Sequence, residues 1–242
     1  MIAVYFKEIN SFLNSLIAYL VIGVFLVLTG LFIWVFPQTS VINSGYANME
    51  PLFFIGPYVF LFLIPAITMR AFAEEKNSGT IEFLMTKPLS DLQIILAKYL
   101  ANFTLVLVAI IPTFLYYYSI YNLGNPIGNL DSAGIIGSYI GLLMLGGVFT
   151  AIGIFASSLT KNQITAFILA VFLCFILHEG FQSLSEVNVW GKFSTVIANL
   201  GIAHHYASMS KGLIDSRDLL YFLSVIAIML SATKLVLDSR KW

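Results

Sequence analysis

The chain has 242 residues, of which 59% are hydrophobic and only 10% charged, and its basic and acidic side chains cancel to a net charge of zero. Soluble domains run near a quarter charged, so this composition excludes an ordinary soluble globule and points to an integral membrane protein. The even balance offers no basic patch for nucleic acid, and the single Cys174 excludes an internal disulfide and reads as a small apolar core residue.

Residues 1–15 are amphipathic. Val4, Ile9, Phe12 and Leu13 share one broad side, while Lys7, Glu8, Asn10 and Asn14 are polar. Two readings stand: an interfacial helix lying along the membrane, or a plain extension of the first span. Lys7 and Glu8 precede an uncharged run too long for a signal-peptide core, with no small-residue cleavage pattern behind it.

Leu16 to Phe36 is predicted as the first span; at 1.5 Å per residue it reaches about 31 Å, the thickness of a hydrocarbon core. Pro37 to Glu50 forms a polar loop. Pro51 to Met69 is the second span, with Pro57 and Pro65 inside it. Proline leaves carbonyls without partners and kinks a helix. In lipid those groups need a neighbour, so this span is expected to pack within the bundle.

Arg70 to Asp91 follows, RAFAEEKNSGTIEFLMTKPLSD, with four acidic and three basic residues between two apolar runs. Its grammar predicts two short helices with a break. Arg70 to Asn77 contains good helix formers. Ser78-Gly79 ends that run, with glycine where a left-handed cap is cheap. Thr80 is placed to cap a second helix, Ile81 to Thr86, carrying Ile81, Phe83, Leu84 and Met85. Pro88 stops it, because Lys87 is pushed out of the helical region. Ser90-Asp91-Leu92-Gln93 has the form of a capping box opening the next helix. Physics alone leaves two readings: a loop folded against headgroups, or a docking element with apolar anchors and orienting charges.

The third span is predicted at 99–121, with Tyr116, Tyr117, Tyr118 and Tyr121 crowding its far end as an aromatic belt. Substrate contact is the lesser alternative for these tyrosines. Gly134 to Leu159 is the fourth span. Gly137 and Gly141 form a G-x-x-x-G pair, and Gly146, Gly147 and Gly153 add small positions that permit close helix approach. Lys161 sits in the short turn that follows. Ile164 to Leu177 is the fifth span, only 14 residues before His178-Glu179 and short for a crossing. Trp190 to Asp218 reads as a mostly polar loop. Leu219 to Leu237 is the sixth span, with Lys234 placed to snorkel, and residues 238–242 form a short tail.

Orientation follows from the basic residues. With both termini inside, Lys7, Arg70, Lys76, Lys87, Lys98, Lys161, Arg240 and Lys241 are cytoplasmic, against Lys192, Lys211 and Arg217 outside.

Chemistry is sparse. No G-x-x-x-x-G-K-[ST] loop is present; the one Gly-Lys pair, Gly191-Lys192, runs into Phe193. His178-Glu179 begins an H-E-x-x-H pattern, but position 182 is Gln. His204 and His205 are adjacent and point apart on a helix, a poor metal pair that suits packing or capping better. Ser157, Ser158, Thr160, Asn162 and Thr165 cluster near one membrane face, where hydroxyls usually bond their own helix, and no base stands near to activate a serine. Ionisable residues are missing from the predicted spans one to five, which argues against a proton-coupled pump. No catalytic, cofactor or metal site is expected, and an intramembrane enzyme is the weakest class.

The run Glu74-Glu75-Lys76-Asn77-Ser78-Gly79-Thr80-Ile81-Glu82-Phe83-Leu84-Met85-Thr86-Lys87-Pro88-Leu89-Ser90 resembles the E-E-x-x-x-G-T-x-E-x-L-x-x-x-P-[LIV]-[ST] cytoplasmic loop of type-2 ABC-exporter permeases. The whole sequence also resembles the gliding-motility-associated permease subunits of Bacteroidetes. The resemblance implies an all-α integral membrane protein, one domain over 1–242. Six transmembrane helices would be joined by a coupling-helix hairpin at 70–91 between spans two and three. It implies that residues 177–189 continue as a helix that turns back at the outer face. Glu74, Glu75, Gly79, Thr80, Glu82 and Pro88 match the motif. Glu75 and Glu82 are the expected polar contacts to an ATPase subunit, and Phe83 and Leu84 its apolar anchors. ATP and magnesium would be bound by that partner and not by this chain. A second permease, identical or related, would complete the transporter in a bacterial inner membrane, with an accessory motility or envelope protein a further expected partner. The rival class is a membrane scaffold of a motility or secretion machine that docks an ATPase and moves no cargo.

Overall fold

The computed structural model describes residues 1–86, 88–187 and 191–239, less the side chains of Met85 and Lys192. The expectations for Lys87, for residues 188–190 and for Arg240, Lys241 and Trp242 lie outside the described residues. Among the described residues the chain is helical and contains no strand. In order run α1 (Ile2–Leu13), α2 (Leu16–Trp34), α3 (Val41–Ser44), α4 (Glu50–Thr68), α5 (Arg70–Asn77), α6 (Ile81–Met85), α7 (Asp91–Ile110) and α8 (Phe114–Leu123). Then come α9 (Ser132–Leu159), α10 (Gln163–Phe175), α11 (Phe181–Ser185), α12 (Ser194–Ala198), α13 (Ile202–Met209) and α14 (Ser216–Asp238).

Six helical runs are long and apolar enough to cross a membrane: Leu16–Trp34, Glu50–Asn77, Asp91–Leu123, Ser132–Leu159, Gln163–Ser185 and Ser216–Asp238. The most buried of these is α9, which touches α4, α5, α7, α10, α13 and α14. Its glycines explain how. A Cβ on Gly146 would meet Val106, one on Gly153 would strike Thr68, and Gly137 and Gly141 lie against the backbone of Gly212 and against Met209. Small residues let a backbone approach what a larger side chain would hold off. The organising element of the tertiary structure is therefore α9, and the polar stretch at 70–91 is built onto one end of it.

Local expectations hold where local chemistry decides. Ser90 and Gln93 form a capping box at the start of α7. The two prolines inside α4, Pro57 and Pro65, are buried within the bundle. The short α1 is distinct from α2, because Ser15 takes an extended backbone and its side chain accepts from the Ile17 N–H. It lies along α7, with Val4 and Phe12 turned in.

Other expectations change. α4 stops at Thr68 and α5 follows it directly, so the helical run goes on to Asn77. The third span starts earlier, at Asp91, and tightens to a 3-10 turn at Ile111–Thr113, where Pro112 lacks an N–H and cannot sit in a regular ladder. Of the four tyrosines in its far half, Tyr118 and Tyr121 face outward. Tyr116 and Tyr117 are tied inside instead, through hydroxyl bonds of 2.9 Å to the Leu26 carbonyl and 2.8 Å to Ser132. The helix of the fifth span continues past Leu177, as the sequence suggested for 177–189, and among the described residues it runs through His178 and Glu179 to Ser185. The segment after it is not a polar loop throughout. Helix α13 is sunk into the bundle, with Ile202, Tyr206 and Met209 buried and the Tyr206 hydroxyl donating 2.8 Å to the Phe53 carbonyl. His205 holds it to α14, its Nδ1 2.7 Å from Asp218 and its ring stacked 3.9 Å from Tyr221.

Candidate functional site

The hairpin begins at a joint. After Met69 the chain stays helical, but the first N–H groups of α5 need outside partners. Ser157 of α9 supplies them. Its hydroxyl donates 2.9 Å to the Met69 carbonyl and accepts from the N–H groups of Phe72 and Ala73 at 3.0 and 3.1 Å. The intramembrane-hydroxyl expectation thus holds for Ser158, which bonds back to Phe155 at 2.7 Å, and fails for Ser157, which caps another helix.

One face of α5 is inside. Ala71, Phe72 and Ala73 are buried, and Lys76 is buried with its ammonium donating to the Ser158 carbonyl. Glu75 is buried too. Glu75, expected from sequence as a polar contact to an ATPase, has its carboxylate engaged internally, 2.7 Å from Lys7 and 3.0 Å from Lys98.

Lys98 is the centre of this arrangement. It is fully buried in α7, and its ammonium donates to Glu8 at 2.8 Å and to the Ala71 carbonyl at 2.6 Å, with the Glu75 carboxylate 3.0 Å away as an ion pair. Its ammonium also lies 5.1 Å from the centre of the Phe72 ring. Glu8, Lys98, Glu75 and Lys7 therefore alternate in sign and join α1, α5 and α7 around a cavity of about 190 Å³. Burial of charge is tolerated only when it is paired and bonded in this way. Burial pulls the Lys7 amine down, but the hydrogen bond and charge of Glu75, with the charge of Glu8, more than reverse this and hold it above the ordinary lysine range. Its contribution is thus present through neutral pH and fades only as pH rises through that raised value. Being more than half exposed, the Lys7 link is the weak member. By sequence Lys98 counts only as one of the cytoplasmic basic residues, and the cluster is missed; its one signal was a lysine two turns inside a capped helix.

The tip of the hairpin faces out. Ser78 closes α5, its N–H and hydroxyl each 2.9 Å from the Glu74 carbonyl, and Gly79 takes the left-handed φ of 71°. Thr80 does not cap α6 with its side chain, as expected from sequence; its hydroxyl meets Ser78 at 2.9 Å. Glu74, Gly79, Thr80, Glu82 and Pro88 are exposed, and Phe83 is 74% exposed. Leu84 is half-buried beside Ile81 and Leu89, against the small apolar cluster of Ala71, Phe72, Ile94, Ile95, Ile154 and Leu237, so it anchors the hairpin to its own bundle. The structure thus brings together Glu74, Thr80, Glu82 and Phe83 at one tip and turns Glu75 and Leu84 inward.

Six crossing helices with a polar hairpin after the second match a known family. The family described as ABC-2 family transporter protein covers residues 38–237. The chain belongs to the ABC-2 transporter family. Comparison with curated proteins finds no match. As an ABC-2 permease it is a multi-pass membrane component, and membership implies association with an ABC ATPase subunit. The 38–237 match leaves α1 outside, so the Lys7 and Glu8 half of the ion cluster comes from a part of this ABC-2 chain that the family pattern does not include.

The turn at Gly79 is open to a direct check. A Cβ at Gly79 would meet nothing within 4 Å, so its cost is conformational alone, about 1 kcal/mol for a left-handed residue. Gly79→Val is expected to lower the thermal midpoint slightly and to weaken ATPase capture, while the spans still insert. An unchanged midpoint together with unchanged capture would count against a hairpin held by this turn.

Proposed function

We propose that this chain is the permease subunit of an ATP-driven ABC-2 exporter in a bacterial inner membrane, with the 70–91 hairpin as its coupling element. A separate ATPase, carrying ATP and magnesium, would dock beneath the exposed tip of Glu74, Thr80, Glu82 and Phe83. Nucleotide-driven closure of the ATPase would push on that tip, and the ion cluster beneath it would pass the displacement to α1 and α7. The observation that carries this reading is an apolar side chain, Phe83, held 74% exposed on a base in which Glu8, Glu75 and Lys98 are ion-paired. Exposed apolar groups rimmed by charge are the usual form of a docking anchor. A second permease, identical or related, completes the path. Resemblance to gliding-motility permeases supports a place in motility or in export to the cell envelope.

Co-purification under mild detergent tests the coupling, and stimulation of ATP hydrolysis by cargo separates an exporter from a scaffold. Sidedness has its own test. With Cys174 replaced by alanine, Ser78→Cys is expected to resist an impermeant thiol reagent in intact cells and to react in inverted vesicles. Labelling from outside intact cells would overturn the assignment of the hairpin and both termini to the cytoplasm.

A further inference from the structure

The joint between the second span and the hairpin is held by a side chain that belongs to neither. The helical run Glu50–Asn77 is interrupted at Met69, between α4 and α5. In an unbroken helix the N–H groups of Phe72 and Ala73 would meet the carbonyls of Thr68 and Met69, four residues back. Here both donate to Ser157 Oγ, at 3.0 and 3.1 Å, while the Ser157 hydroxyl donates 2.9 Å to the Met69 carbonyl. A side chain inserted into the ladder is one of the few causes of a sharp break in a helix.

Ser157 reaches this point because α9 comes close one turn earlier. A Cβ on Gly153 would strike Thr68, so a glycine lets the end of α4 lie against α9 there. Ser157 itself is fully buried. Lys76, farther along α5, adds a tie to the Ser158 carbonyl through a long, flexible side chain. The joint is not saturated. Arg70 Nε is buried beside it without a hydrogen-bond partner, 4.0 Å from Glu74. A buried donor left open costs stability, so this arrangement is less than fully favourable.

A second arrangement would satisfy the same groups. With Ser157 withdrawn, the Ala73 N–H can bond the Met69 carbonyl and the Phe72 N–H the Thr68 carbonyl, which closes the ladder. The freed hydroxyl can then bond the Gly153 carbonyl, four residues back in its own helix, as buried serines commonly do. Three bonds are exchanged for three. Switching elements in proteins move between discrete, separately satisfied arrangements of this kind.

We propose that Ser157 is the pin of a two-state hinge, inserted in this structure and withdrawn when the hairpin is displaced. The use of the hinge rests on the coupling reading: pressure on the tip would straighten the run Glu50–Asn77 and pass the change to α9, as well as to α1 and α7. From Met69 to Asn77 is about 12 Å at 1.5 Å per residue, so a reorientation of about 20° moves the end of α5 by about 4 Å. Ser157 is thus a positioning residue. It sets the direction of the hairpin and acts only through it.

The experiment measures the distance between spin labels at Asn77→Cys and Lys161→Cys, in the full chain in nanodiscs with Cys174 replaced by alanine. Both positions are exposed, and neither belongs to the docking tip. Ser157→Ala removes the pin without adding volume and is expected to shift the mean distance by about 2 Å or more. A distance equal to that of the native Ser157 chain would overturn the hinge, because a serine that merely caps α5 leaves the helices in place when it is lost. With Ser157 intact, binding of the partner ATPase and a non-hydrolysable ATP analogue is expected to move the distance toward the Ser157→Ala value. No movement in a chain that has captured the loaded ATPase would overturn the hinge without any change at position 157. Failure to capture the ATPase counts against the coupling reading alone, and the Ser157→Ala distance in the isolated chain then still decides the hinge.

Discussion

Lys98→Met is expected to destabilise the protein by about 3 to 5 kcal/mol, the usual cost of removing one partner from a buried ion pair. The methionine fills most of the lysine's volume, so the loss is electrostatic and not a cavity. It leaves Glu8 and Glu75 facing each other with only the exposed Lys7 between them, and it frees the Ala71 carbonyl at the base of α5. The double variant Lys98→Met with Glu75→Gln removes the unpaired charge and is expected to be more stable than Lys98→Met alone. Neighbours in one network show this non-additivity, whereas independent sites add. Unfolding of purified protein in detergent, followed by tryptophan fluorescence, reads both variants. A Lys98→Met protein as stable as the native chain would sink the cluster as the fastening of α5. So would a double variant whose loss is the simple sum of the two single losses.

The second large effect concerns what the tip holds. Phe83→Ala is expected to lower affinity for the partner ATPase more than tenfold, because truncating a buried apolar anchor typically costs about 2 kcal/mol or more. In the isolated chain Phe83 is 74% exposed and belongs to neither apolar cluster, so its removal leaves the fold intact. Leu84→Ala acts differently. Leu84 packs on the cluster around Phe72, so its loss is expected to loosen the hairpin and lower the thermal midpoint. Glu74→Ala is expected to weaken association less, and mainly at low salt, since exposed charges are screened. The measurement is affinity of solubilised variants for the ATPase at two salt concentrations. Normal binding by Phe83→Ala would place that ring in lipid and move the docking surface to Glu74 and Glu82.

What the sequence by itself determined is what short-range chemistry governs. Six apolar runs need six crossings, because a backbone in lipid must satisfy its own hydrogen bonds. The break between α1 and α2 was left open by the sequence, whereas the left-handed turn at Gly79 and the capping box of Ser90 and Gln93 each depend on residues within a few positions of one another. The proposed docking tip was legible for the same reason, as a motif on a local hairpin. Tertiary structure alone decided which of its residues look outward. Glu75 and Glu82 are alike in sequence, but Glu75 meets Lys7 and Lys98, and Lys98 in turn meets Glu8 from 90 residues away. The capping of α5 by Ser157, 85 positions beyond Phe72, is equally long-range. His178 resembled a boundary residue by sequence, and only the rings of Tyr58 and Phe149 around its imidazole show that packing buries it. A side chain's polarity is written in its own residue, whereas the partner that makes its burial tolerable is supplied by packing of distant helices, here around the glycines of α9.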